Sequence, residues 1–286
     1  MAEIRLPTPY VDAVGASHGR AGPDARIVCL VPSITELFFA LGLGEHMVGR
    51  TGFCVHPRAG VKRVPKVGGT KDFDLEKIRA LAPTHLVVNV DENPKERVEA
   101  AARFVPHVIV THPMGPRDNP PLYRLLGAIF AREQEAEILV RHFVAAYRDT
   151  VQSTATLPRE RVLYLIWKKP WMTISRDTYI ARTLEAVGWE QIEVGSADRY
   201  PEIRLEDFPG KVDRVLLSSE PYAFTRRDVQ SVERLIDSAS PVTRHSSPVT
   251  VSLIDAQMTS WYGNRAIEGM RHLAAQRAGS GLLTTR

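Results

Sequence analysis

The stretch TGFCVHP, residues 51–57, sets Cys54 two positions before His56, with Pro57 next in the chain. Proline disfavours the helical region for the residue before it, so 54–56 reads as extended. In a strand, residues two apart share a face, which puts the Cys54 and His56 side chains on one side with Val55 opposite. A thiolate and an imidazole there, with Glu92 or Glu220 as a carboxylate, suit a borderline ion such as zinc or an acid–base role. Two ligands fall short of the four that a structural zinc site takes, and no other Cys/His pair has a matching spacing. The competing readings are one wall of a ligand cleft, with Cys54 and His56 as contacts, and a plain packed strand end.

Further polar and aromatic sets follow strand-like runs. In GGTKDFD, residues 68–74, Gly68 and Gly69 let backbone approach a ligand and Thr70 and Lys71 are donors; a plain turn is the alternative. In DENPKER, residues 91–97, Asn93 can cap the helix that Pro94 opens, with Glu92 favoured by the helix dipole or turned toward a ligand. Trp167 and Trp171 flank Lys168, Lys169 and Pro170, a composition that keeps the turn from being wholly buried. Glu220 and Tyr222 lie in SSEPYAF, residues 218–224, and Trp261 and Tyr262 in SWYG, residues 260–263, where core packing is the other reading. There is no phosphate loop, dinucleotide fingerprint, HExxH, GxSxG or CxxC pattern. Flat stacking surfaces with few nucleophiles favour binding over turnover, so the chain reads as a non-enzyme.

Alternating strand and helix patterns must position these sets. RIVCLVP, HMVGRTG, THLVVNV and HVIVTH read as strands, separated by the helices SITELFFALGL, LEKIRALAP and PKERVEAAARF. Ser33-x-x-Glu36 matches a capping box at the first helix. From Asn119 to about residue 157 apolar residues recur at helical spacing, which predicts one helix of roughly 50 Å. After Pro158 come RVLYLIW, WMTIS, DTYIARTLEAVG, RVLLSS, RRDVQSVERLI, PVTVSLI and NRAIEGMRHLAAQR. The expected fold is α/β, with two lobes of mainly parallel sheet flanked by helices. Its parts are a loose leader at 1–25, a lobe at 26–118, a connecting helix at 119–157 and a lobe at 158–286. Ligands are expected at strand ends and in the cleft between the lobes.

Composition agrees with a globular chain. The 286 residues are 44% hydrophobic and 24% charged, and 37 basic against 33 acidic residues leave a formal +4 without a basic stripe, which argues against nucleic acid. No apolar run is long enough to span a membrane. Cys29 in an apolar run and Cys54 in a polar one suggest no disulfide framework.

The succession VPSITELFFALGL, VGGTKDFDLEKIRALAPTHLVV, the long central helix, PWMTISRDTYIARTLEAVGWEQI, DRYPEIRLEDF and VLLSSEPYAF resembles the helical-backbone, or class III, substrate-binding proteins of ABC importers. The nearest subgroup is the cobalamin-binding or helical backbone metal receptor group, whose members also tend to carry FCVHP, GGTK and a DEN-type segment. The resemblance runs from about residue 26 to 276. It implies a monomeric bilobal receptor that holds a metal chelate by aromatic and polar contacts, a corrinoid first and a ferric siderophore or haem next, with no covalent cofactor. Cleft aromatic residues of the cobalamin receptor fall at places matching Thr70, the Asn89–Val90 region, the Trp167–Trp171 turn and Tyr200, two of which are not aromatic here. The glutamates that dock such receptors on permease arginines match Glu76 and Glu206.

The family is periplasmic, yet the first 26 residues lack the apolar core of a secretory signal. A cytoplasmic relative that uses the cleft for another task is therefore favoured over a receptor with a trimmed or misassigned start. In that alternative the chain is a metal-handling protein or enzyme using Cys54 and His56.

Overall fold

The structure, a computed structural model, describes residues 10–239 and 249–279. Residues 1–9 of the expected leader, and 240–248 and 280–286 of the expected second lobe, including Pro248 of the predicted strand PVTVSLI, lie outside them. The chain divides into two compact units: 1–113, 118–143 and 262–265 form the first, and 114–117, 144–261 and 266–286 the second.

In the first unit β1 (Tyr10–Val11) and β2 (Ser17–His18) pair antiparallel. They precede β3 (Ile27–Cys29), α1 (Pro32–Ala40), β4 (Met47–Arg50), α2 (Arg58–Val61), α3 (Leu75–Ala80), β5 (His85–Asn89), α4 (Lys95–Ala102) and β6 (His107–Thr111). β3 to β6 form one parallel sheet in the order β4-β3-β5-β6. Every residue of β3 and β5 is buried, which is why these strands read as near-continuous apolar runs. One side of the sheet packs Val28, Leu86 and Val88 against Phe73 and Ile78.

The described part of the leader is not loose. Asp12, itself buried, accepts from the backbone N–H groups of Val14 (3.0 Å) and Ala16 (2.9 Å) with one oxygen. Its other oxygen takes the N–H of Val110 at 3.0 Å and lies 3.1 Å from His18 Nε2. One carboxylate thus closes the hairpin and ties it to β6.

Helix α1 also departs from expectation. It begins at Pro32, whose fixed φ suits the first helical position, with Val31 as a cap that makes no side-chain bond. Ser33 is therefore inside the helix, and Glu36 pairs with Arg265 (2.8 and 2.7 Å) instead of closing a capping box.

The single helix predicted over 119–157 is two, α5 (Asn119–Ile129) and α6 (Glu133–Thr154). Ala131 takes a left-handed φ of 56° and Arg132 N–H donates back to Gly127 O at 2.6 Å. The corner buries the Phe130 ring edge-on to Phe38, at 5.4 Å between centroids, and to His85, at 5.0 Å. The division between the units falls within α6, after Phe143.

The second unit contains β7 (Glu160–Trp167), β8 (Trp171–Thr173), α7 (Tyr179–Glu185), β9 (Trp189–Gln191), β10 (Glu202–Ile203), β11 (Arg214–Ser218), α8 (Arg226–Ala239), β12 (Thr250–Ile254) and α9 (Ala256–Ser260). All of α10 (Arg265–Arg277) except Arg265 belongs to it. Its sheet runs β10-β8-β7-β11-β12, with β9 also on β7. Strands β7, β9, β11 and β12 are parallel, while β8 and β10 join antiparallel. Leu163, Leu165, Val215 and Leu217 pack with Val232 and Ile236 of α8.

Candidate functional site

In the first unit three sequence-predicted loops meet where β4 and β5 end. Residues 65–68 run beside 50–52: Arg50 N–H donates to Pro65 O (3.0 Å), Val67 N–H to Arg50 O (2.8 Å) and Gly52 N–H to Gly68 O (2.7 Å). Gly68 has φ 116°, and a Cβ there would lie 2.8 Å from Phe73 Cα, so the loop needs glycine. Asn93 joins the third loop. Its Oδ1 accepts from Asn89 N–H and its Nδ2 donates to Thr70 O, both at 2.8 Å. Asn93 is therefore not the helix cap; that position is Pro94, because the amide is spent on the two loops. Thr70 is half-buried and Lys71 exposed beside it.

The TGFCVHP stretch is not a strand. Cys54 N–H donates to Thr51 O at 3.3 Å, closing a turn that sends Cys54 into the core. There its Sγ meets the hydroxyls of Thr35 (3.1 Å) and Thr51 (3.2 Å), and burial pushes the thiol pKa up. His56 is half-buried, and Phe53 and Val55 are exposed. Cys29 and Cys54 are both buried free thiols. Among the described residues no three His, Cys, Asp or Glu groups are placed to hold a metal ion. The turn commits the Cys54 sulfur to the core, where its partners are threonine hydroxyls, instead of turning it outward as the extended reading expected.

Glu92 and Tyr262 form a pair within the first unit. The buried Tyr262 hydroxyl donates to Glu92 Oε1 at 2.6 Å. Burial raises the Glu92 carboxyl to about 7, with Asp91 adding to the rise and the tyrosine bond opposing it. Burial and the Glu92 charge together push the Tyr262 phenol well above its ordinary range. Around it, Gly263 N–H donates to Asn119 Oδ1 and Tyr123 OH to Gly263 O, both at 2.7 Å. Tyr262 is thus an internal anchor, not an open stacking surface.

In the second unit the aromatic predictions converge. Trp167, at the end of β7, is 39% exposed and meets Tyr222 edge-on at 5.7 Å; Trp171 lies parallel to Phe224 at 6.2 Å; Tyr222 and Phe224 are 4.7 Å apart. Trp171 and Tyr222 also pack against the core. The exposed Tyr200 lies on the segment that runs antiparallel to β8, where Thr173 N–H donates to Pro201 O at 3.0 Å. Glu220 is exposed and accepts from Gln257 Nε2 at 2.9 Å, and Trp261 is half-buried just past α9.

Glu76 and Glu206 are both exposed. Glu76 lies in the first turn of α3, which Asp74 caps by accepting from Glu76 N–H (3.0 Å) and Lys77 N–H (3.1 Å). Glu206 sits in the 3₁₀ turn Leu205–Asp207.

Three residues at these faces escaped the sequence reading. Phe53 is 64% exposed beside the Gly69 loop, His112 lies 3.5 Å from Asp91 just past β6, and Phe224 completes the aromatic cluster. Phe53 stood inside the quoted stretch, and exposure of an aromatic ring is not visible in its neighbours' types.

Two α/β units, each with polar or aromatic loops at the carboxyl ends of its strands, define a binding protein of the two-lobed class. The sequence model described as Periplasmic binding protein matches residues 27–208, well over half of the chain. The chain belongs to the periplasmic binding protein family. It is 23% identical over 187 residues to the Vitamin B12-binding protein of Vibrio vulnificus (strain CMCP6), covering 65% of this chain and 68% of that one. Among solved structures it resembles the periplasmic vitamin B12 binding protein BtuF of Vibrio cholerae, with a TM-score of 0.75 and 16% identity over 90% of this chain and 98% of that one. The periplasmic heme-binding protein RhuT from Roseiflexus sp. RS-1 gives 0.72 and 20%, over 91% and 100%. Among the described residues no helix is long and apolar enough to cross a membrane.

Proposed function

We propose that this chain is the substrate-binding protein of an ABC-type importer for a metal chelate, with a corrinoid first and haem or a ferric siderophore next. The observation that carries the proposal is the aromatic face of the second unit. Trp167, Trp171 and Tyr222, with Tyr200 nearby, offer flat apolar surface to a large conjugated ligand while Lys168 and Glu220 keep the face wet. In the first unit Thr70, Lys71, Phe53 and His56 are the candidate ligand contacts, with Asn93 holding the Thr70 loop to the end of β5. The ranking of ligands rests on the relatives named for vitamin B12, and the haem-binding neighbours support the second place.

Glu76 and Glu206 are proposed as the carboxylates that meet basic residues of a permease, as their exposure allows, and the receptor acts as a monomer. A periplasmic site of action follows the family; cell fractionation separates it from a cytoplasmic one. Adding cyanocobalamin, haemin and ferric siderophores to the purified protein while following tryptophan fluorescence tests the binding. Saturable quenching by one of them is expected, and no quenching by any would sink the proposal.

A further inference from the structure

We propose that Asp228 is the positioning residue of the aromatic face, an inference that rests on the binding function above. The two oxygens of its carboxylate hold two different segments. Oδ1 accepts from Lys168 Nζ at 2.6 Å, and Lys168 belongs to the turn between Trp167 and Trp171. Oδ2 accepts from Thr225 N–H at 2.9 Å and Thr225 Oγ1 at 2.8 Å, and Thr225 ends the loop that carries Tyr222 and Phe224. These are the segments whose rings meet as Trp167 with Tyr222 and Trp171 with Phe224.

Ring pairs alone tolerate a spread of separations and tilts, so they set contact more than register. A charge-assisted bond to a carboxylate that is only 7% exposed is far more restrictive. The turn needs such a restraint, because Lys169 sits at φ 66°, a left-handed conformation that a lysine keeps only when its surroundings impose it. The ammonium of Lys168 also lies 5.6 Å from the centre of the Trp171 ring, which couples the ion pair to the ring it places. A helix-capping role for Asp228 at the start of α8 accounts for the Thr225 bonds but not for the one to Lys168.

Lys168→Met separates the two roles, since it leaves the cap intact, and Asp228→Asn removes the charge. Near-ultraviolet circular dichroism of the ligand-free proteins reports the tryptophan environment, far-ultraviolet spectra report the fold, and titrations with cyanocobalamin and haemin report affinity. Both variants are expected to keep the far-ultraviolet spectrum, lose tryptophan intensity in the near-ultraviolet and weaken the probe that wild type binds by about tenfold. The proposal is overturned if Lys168→Met keeps the wild-type near-ultraviolet spectrum, or if it keeps the wild-type Kd. If wild type binds neither probe, the binding reading fails by itself, and the ligand-free spectra still decide whether Asp228 places the rings.

Discussion

The Tyr262 hydroxyl donates to Glu92 Oε1 across 170 positions of sequence, and the carboxyl that receives it has its pKa raised to about 7. Between the ordinary value of 4.5 and about 7 the folded chain holds this proton while the unfolded chain has lost it. The contribution is therefore fully present below about 4.5 and is lost as pH rises through about 7. Glu92→Gln keeps a neutral acceptor for Tyr262, so its melting temperature should fall less between pH 5 and pH 8 than that of wild type. After discounting for partial solvent access, the gain at pH 8 is on the order of 1–2 kcal/mol. Parallel melting curves across this range would remove the assignment.

The two tryptophans of the aromatic face should separate in a mutant series. Trp167 is 39% exposed, so Trp167→Ala should change stability by no more than about 0.5 kcal/mol while weakening ligand by about tenfold or more. Trp171 stacks on Phe224 and packs on the core, so Trp171→Ala should also lower stability, by about 2–4 kcal/mol. Urea melts and fluorescence titrations on the same preparations distinguish the two outcomes.

Charge reversal at the two proposed docking residues should leave the ligand site alone. Glu76→Lys and Glu206→Lys lie on exposed first turns, and each is expected to retain the wild-type ligand Kd. Stimulation of the importer's ATPase by the loaded receptor is expected to fall several-fold in each and to vanish in the double variant. Full stimulation by the double variant would exclude both residues from docking.

Cys54 should behave as a core residue. Cys54→Ala leaves the hydroxyls of Thr35 and Thr51 without their sulfur partner, at a cost of about 1–3 kcal/mol in chemical denaturation. Metal content of protein purified without chelator should be the same in wild type, Cys54→Ala and His56→Ala. A drop in bound zinc in either variant would restore the metal reading.

The corner between α5 and α6 should be intolerant of a side chain at Gly127. A Cβ there would lie 2.6 Å from Ala136 Cβ and 2.9 Å from Arg132 O. Gly127→Ala should destabilise by about 1–3 kcal/mol through overpacking, although alanine is the better helix former. A variant as stable as wild type in thermal melts would show that the corner relaxes freely.

The sequence by itself determined most of the strands and helices and their order, although not the β1–β2 hairpin or the break between α5 and α6. Strand β5 is buried along its whole length and β7 over Val162–Ile166, so these stretches had to be apolar runs, and the amphipathic helices between them had to carry helical spacing. It also marked the loops that carry the candidate contacts, because glycine, proline and paired polar residues cluster where strands end. Tertiary structure alone decided which way those loops turn their side chains. The Thr51–Cys54 turn buries a sulfur that an extended reading would expose, Asn93 spends its amide on two loops rather than on a helix, and Tyr262 finds its partner on a distant strand end. The break at Ala131 carries no glycine or proline; what accompanies it is the burial of Phe130 against Phe38 and His85, which the local sequence does not show. Local chemistry sets what each segment can form, whereas burial and hydrogen-bond satisfaction are properties of the packed chain, and those chose among the forms.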